Sequence, residues 1–299
     1  MKRSISTLLI FVAVTCVGMG ALFVVVRGQT TAKPDATVLY SQPSGEKLFL
    51  DVYKPDEKSS NQLAIILVHG GGWAAGDKTD MSDFARALTT KGFTCFSVQY
   101  RFASKYLWPA QLDDVQTAVR FIRAQSSQYR IDKDRIGAVG GSAGGHLVQC
   151  LGVRETRNPK ATDYSKESSR VQAVWNIFGP TDLTQSYPTA SKEIVKKFLG
   201  ELTTERLRDA SPIFFVDARS APTFFLQGKQ DELVPWTQAE SMANKLKAAK
   251  IPVVLNLIEN MKHDADMKNP QVARAIEEGV AWLYATLRRP SIGQPHRPQ

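Results

Sequence analysis

The sequence predicts an α/β domain, built on a mainly parallel central sheet with helices on both faces. Three observations predict it. From residue 63 to residue 287, short apolar runs alternate with amphipathic helical patterns, the order that crossover-linked parallel strands require. Residues 63–68 and 136–139 are apolar without alternation, as strands covered on both faces are. The second run then delivers Gly140-Gly141-Ser142-Ala143-Gly144 into a helical pattern. A sharp strand-to-helix turn of this kind leaves a serine hydroxyl uncrowded and backed by a helix N-terminus.

Taken in order, residues 37–40 and 47–53 are β-type runs joined by a Pro43-Ser44-Gly45 turn, an antiparallel edge. The strand at 63–68 ends in His69-Gly70-Gly71-Gly72-Trp73. Three glycines there let backbone N–H groups turn outward, as an oxyanion hole needs, with Gly71 and Gly72 as donors beside the Ala143 amide. An amphipathic helix at 81–91 stops at Gly92, and a strand follows at 93–98. Residues 109–126 form a long helix with apolar Leu112, Val115, Val119 and Ile122 on one stripe. Asp113 and Asp114 in its first turn complement the helix dipole. Residues 154–170 are polar and charged, a surface loop, before a strand at 171–178. Residues 183–212 hold helical pieces placed to cover the site, and with 100–108 they are expected to shape the acyl pocket. A strand at 222–226, a helix at 238–250, a strand at 253–258 and a helix at 270–287 complete the pattern. No repeat interrupts it, so 37–288 is read as one domain.

A nucleophilic serine needs a base, and four histidines can be weighed. His69 belongs to the glycine turn, His146 points away along the elbow helix, and His296 lies in the tail. His263 follows a strand, at the carboxyl edge where open α/β sheets collect their sites. The carboxylate that orients the imidazole is read as Asp231, at the end of the preceding strand. Asp182 is its rival one strand earlier, and Asp264 and Asp266 sit too close to His263 in sequence to reach Nδ1. The order Ser142, Asp231, His263 is that of the nucleophile-elbow hydrolases. Such chemistry calls for no cofactor, and no metal-ligand spacing is present.

From about Tyr40 to Leu287 the chain resembles α/β-hydrolase carboxylesterases. It is similar to the hormone-sensitive-lipase-like esterases through His69-Gly70-Gly71-Gly72 and Ser142-Ala143-Gly144-Gly145. It departs from them in Gly141, where they carry Asp, and Trp73, where they carry Phe. Those departures make it look more like the bacterial feruloyl and acetyl-xylan esterases, which resemble the kynurenine formamidases in the glycine turn. The resemblance implies hydrolysis of small carboxylic esters, with acetyl or feruloyl groups on plant polysaccharide as the implied substrate. An amidase or exopeptidase on the same residues is the alternative. A non-catalytic binding module is a further one, although such modules lose the serine or histidine that this chain keeps.

Net charge is +9 over 299 residues, but Lys2, Arg3, Arg27, Arg288, Arg289 and Arg297 carry six of those charges at the two ends. The body is left near neutral, and a nucleic-acid partner is not implied. Residues 8–26 form an uncharged apolar run behind Lys2-Arg3, which predicts export through a signal peptide or membrane anchor at 1–27. Residues 28–36 read as a linker, and 289–299, rich in proline, as a disordered tail. Cys95 falls in a strand and Cys150 on a helix, and both read as buried free thiols.

Overall fold

The computed structural model describes residues 32–103, 105–156 and 163–288. The expected signal or anchor, the start of the linker, the tail and His296 lie outside them. Among the described residues, no helix is long and apolar enough to cross a membrane.

Eight strands form one sheet: β1 (Ala36–Ser41), β2 (Leu48–Tyr53), β3 (Ala64–Val68), β4 (Thr94–Val98), β5 (Ile136–Gly141), β6 (Ala173–Ile177), β7 (Thr223–Gly228) and β8 (Val253–Ile258). Their spatial order is β1-β2-β4-β3-β5-β6-β7-β8. β2 runs antiparallel to both β1 and β4, and the pairings from β4 to β8 are parallel. This is the α/β-hydrolase architecture. Parallel pairing requires a crossover after each strand, and helices supply most of them.

The helices are α1 (Ser82–Thr89), α2 (Ala110–Ala124), α3 (Ser126–Tyr129), α4 (Ala143–Val153), α5 (Thr189–Leu199), α6 (Thr204–Asp209), α7 (Thr237–Ala248) and α8 (Pro270–Leu287). Alternation along the strands sorts the core onto two faces. Ala64, Ile66 and Val68 of β3 pack with Leu112, Val115 and Val119 of α2 and Leu147 and Val148 of α4. Ile65 and Leu67 face the other way, with Ala85 and Leu88 of α1 and Leu283 and Leu287 of α8. Each such aliphatic side chain contributes about 1.5–3 kcal/mol on burial. Helix α4 is buried along its whole length, because sheet, α2 and the segment carrying α5 and α6 surround it.

Some elements differ from the sequence reading. The long helix ends at Ala124, and Ser126–Tyr129 form a separate turn. Asp113 lies in the first turn of α2, but Asp114 does not serve the dipole. It is 2% exposed and takes a forked contact from Arg101 at 2.7–3.0 Å. A carboxylate so buried needs a paired cation more than a helix end. The 154–170 segment is fastened rather than loose where it is described. Glu155 accepts from the Ser168 and Ser169 hydroxyls and the Ser169 amide at 2.6–2.7 Å, and these bonds outweigh its burial, drawing the carboxyl down to about 2. Residues 32–35 lie against the body, with the Asp35 amide on the Val52 carbonyl at 2.8 Å and the Ala32 amide on Asp83 at 3.2 Å. Cys95 and Cys150 are buried, and among the described residues neither forms a disulfide.

Candidate active site

The parallel strands end on one edge of the sheet, and the expected site residues gather there. Ser142 stands between β5 and α4 with φ 53° and ψ −123°, a strained backbone that L-residues adopt at sharp functional turns. The turn is possible because strand, helix and β3 come very close. A side chain at Gly140 would meet the Gly144 carbonyl carbon at 2.6 Å and the Val68 oxygen at 2.9 Å. The Ser142 amide donates to Ile177 at 2.9 Å and its carbonyl receives the His146 amide at 3.0 Å, so the serine is held from both elements.

His263 lies beyond β8, with Nε2 2.8 Å from Ser142 Oγ and Nδ1 2.8 Å from Asp231 Oδ2. An ionised carboxylate only accepts, so Nδ1 carries the proton and Nε2 offers its lone pair to the serine hydroxyl. Asp231 is itself fixed. Its Oδ1 accepts the Leu233 and Val234 amides at 2.9 and 2.8 Å, and Gln227 Nε2 donates to Oδ2 at 3.0 Å. The Phe178 ring packs 4.6 Å from the imidazole, and the histidine side chain is only 8% exposed. Asp182 is engaged elsewhere, its carboxylate accepting from Thr184 and Gln185 within its own turn.

The glycine turn lies beside the serine. A side chain at Gly70 would come within 3.4 Å of Ser142 Cβ. Gly71 and Gly72 have φ 103° and 58°, a left-handed path that suits glycine. Among the described residues, neither of their amides meets an acceptor. The turn is closed by the Ala74 and Ala75 amides on the Gly71 carbonyl at 3.1 and 3.0 Å. A side chain at Gly72 would meet Ile194 of α5 at 3.0 Å, so α5 covers this turn.

Several supports escaped the sequence reading. Trp73 stacks on Phe198 at 4.1 Å, and its indole N–H donates to His146 Nδ1 at 3.2 Å. His146 Nε2 in turn lies 2.6 Å from the Ala210 carbonyl. The neutral Nε2–H tautomer satisfies both contacts, and burial pulls this imidazole down to about 4. Ser191 of α5 donates to the Leu233 carbonyl at 2.7 Å, joining that helix to the loop of Asp231. The pairing of Trp73 with the 183–212 segment left no spacing signal, because its partners lie over a hundred positions away.

The sequence model of the BD-FAE family matches residues 50–246, more than half of the chain. The chain belongs to the BD-FAE family. This BD-FAE member is 28% identical over 267 residues to the probable carboxylic ester hydrolase LipM of Mycobacterium tuberculosis, covering 84% of this chain and 62% of LipM. It is 30% identical over 227 residues to the esterase LipC of the same organism, covering 71% of this chain and 54% of LipC. The chain therefore spans little more than half the length of these relatives. A solved acetyl ester-xyloside bifunctional hydrolase from Caldicellulosiruptor lactoaceticus superposes with TM-score 0.75 at 23% identity, over 85% of this chain and 97% of that one. That likeness concerns the fold.

Proposed function

We propose that this BD-FAE member is a serine carboxylesterase that hydrolyses small carboxylic esters through Ser142, His263 and Asp231. The observation that carries the proposal is the unbroken hydrogen-bond chain from Ser142 Oγ through His263 to Asp231, 2.8 Å at each step. In the proposed reaction His263 Nε2 takes the hydroxyl proton as Oγ attacks the ester carbonyl. The resulting oxyanion is met by the amides of Gly71, Gly72 and Ala143, with the N-terminus of α4 behind them. His263 then gives its proton to the departing alcohol, leaving an acyl-serine. Water, deprotonated by the same nitrogen, attacks that ester and returns the free serine and a carboxylic acid. Asp231 holds the Nδ1–H tautomer and stabilises the imidazolium. We propose acetyl or feruloyl as the acyl group, with α5 limiting its length through Ile194. We also propose export of the chain, from the Lys2-Arg3 pair and the apolar run behind it.

Initial rates on p-nitrophenyl acetate, butyrate and octanoate and on methyl ferulate test the reading. Acetate or ferulate should be cleaved fastest, and Ser142→Ala should lower kcat on the order of a millionfold. Turnover of none of the four esters, or a variant as active as the wild type, contradicts it.

A further inference from the structure

Helix α5 begins without a side-chain cap, and Ser191 in its first turn is only 6% exposed. A serine so placed ordinarily caps the helix end or bonds back onto its own helix. Here the hydroxyl leaves the helix and donates to the Leu233 carbonyl, 42 positions away, at 2.7 Å.

That carbonyl shares its peptide unit with the Val234 amide, which donates to Asp231 Oδ1 at 2.8 Å. The unit is planar and trans, so its C=O and N–H point in opposite directions from one rigid plate. Fixing the oxygen fixes the aim of the N–H. The Asp231 side chain is 0% exposed, so its orientation follows from its protein donors and not from water. Its other oxygen, Oδ2, faces His263 Nδ1 at 2.8 Å. From α5 to the imidazole the path is three hydrogen bonds, one peptide plate and one carboxylate.

The same helix reaches the other half of the site. Ser191, Ile194 and Phe198 recur at helical spacing along one stripe of α5. A side chain at Gly72 would meet Ile194 at 3.0 Å, and the Phe198 ring stacks on Trp73 at 4.1 Å. These two contacts set how α5 sits over the glycine turn, and Ser191 carries that seating to the carboxylate. We infer that Ser191 is a positioning residue, through which the seating of α5 aims Asp231 at His263. The inference rests on the esterase reading of Ser142, His263 and Asp231. The imidazolium that forms as Ser142 attacks needs a carboxylate aligned with its Nδ1–H. A looser aim therefore costs transition-state stabilisation and leaves substrate binding alone.

Steady-state rates on p-nitrophenyl acetate test the inference with Ser191→Ala, Asp231→Asn and the two combined. Ser191→Ala should lower kcat about tenfold, the worth of one hydrogen bond, with KM unchanged. Ser191→Thr keeps the hydroxyl and should restore the rate. Added to Asp231→Asn, Ser191→Ala should cost nothing more, because residues that act as one unit are not additive. If the alanine variant does not fold, Ser191→Cys carries the same expectations, since a thiol is a weak donor of similar shape. An unchanged kcat, a loss that appears in KM instead, or a further tenfold loss in the combined variant overturns the inference. Failure of the esterase reading shows elsewhere, as an Asp231→Asn chain that loses nothing. If this inference alone fails, Asp231→Asn keeps its full loss.

Discussion

At the residue scale, the arrangement turns on which carboxylate faces the imidazole. Asp231 and Asp182 both end strands, and their spacing along the chain does not separate them. The structure separates them by what each already holds. Asp231 meets His263 Nδ1 at 2.8 Å, while Asp182 is occupied by its own turn. Asp231→Asn should keep the fold and lower kcat about 10⁴-fold by holding the wrong imidazole tautomer, whereas Asp182→Asn should leave kcat nearly unchanged. Equal losses in steady-state rates on p-nitrophenyl acetate would contradict the assignment. Ser142, His263 and the glycine turn were legible because glycine spacing and strand ends mark them in one dimension. Gln227, which steadies Asp231 at 3.0 Å, was not, since a glutamine inside an apolar strand reads as an exception until its partner is seen.

At the scale of elements, strands and helices were legible from apolar runs and period, with ends shifted by a few residues where caps and turns decide them. Pairings between elements were not legible, because they depend on contacts distant in sequence. Asp114 is one case, turned from a dipole partner into half of a buried ion pair by the loop after β4. Helix α8 is another. It seats on β6 through Gly279, where an added methyl would lie 2.6–2.7 Å from atoms of the Trp175 ring. Trp175 is itself 0% exposed and cannot retreat. Gly279→Ala should therefore destabilise the protein by about 1–3 kcal/mol, despite the better helix propensity of alanine. A urea midpoint equal to or above that of the wild type would show that α8 shifts freely on the sheet.

At the scale of the whole molecule, the covering segment with α5 and α6 is locked to the body through a histidine that must stay neutral. Burial lowers His146 from an ordinary 6.5 to about 4, and burial lowers His69 as well. Between these values the unfolded chain binds more protons than the folded one. The stability is full above pH 6.5 and is lost as pH falls toward 4. His146 alone should remove about 2 kcal/mol between pH 7 and pH 5. Urea unfolding at the two pH values should show that drop in the wild type and a smaller one in His146→Gln; identical drops would place the titration elsewhere. The central claim remains that Ser142 is the nucleophile, and intact-mass analysis after treatment with a fluorophosphonate addresses it most directly. One covalent adduct is predicted, mapping to the peptide of Ser142 and absent in Ser142→Ala. A wild-type chain that stays unlabelled, or an adduct that survives the substitution, would contradict it.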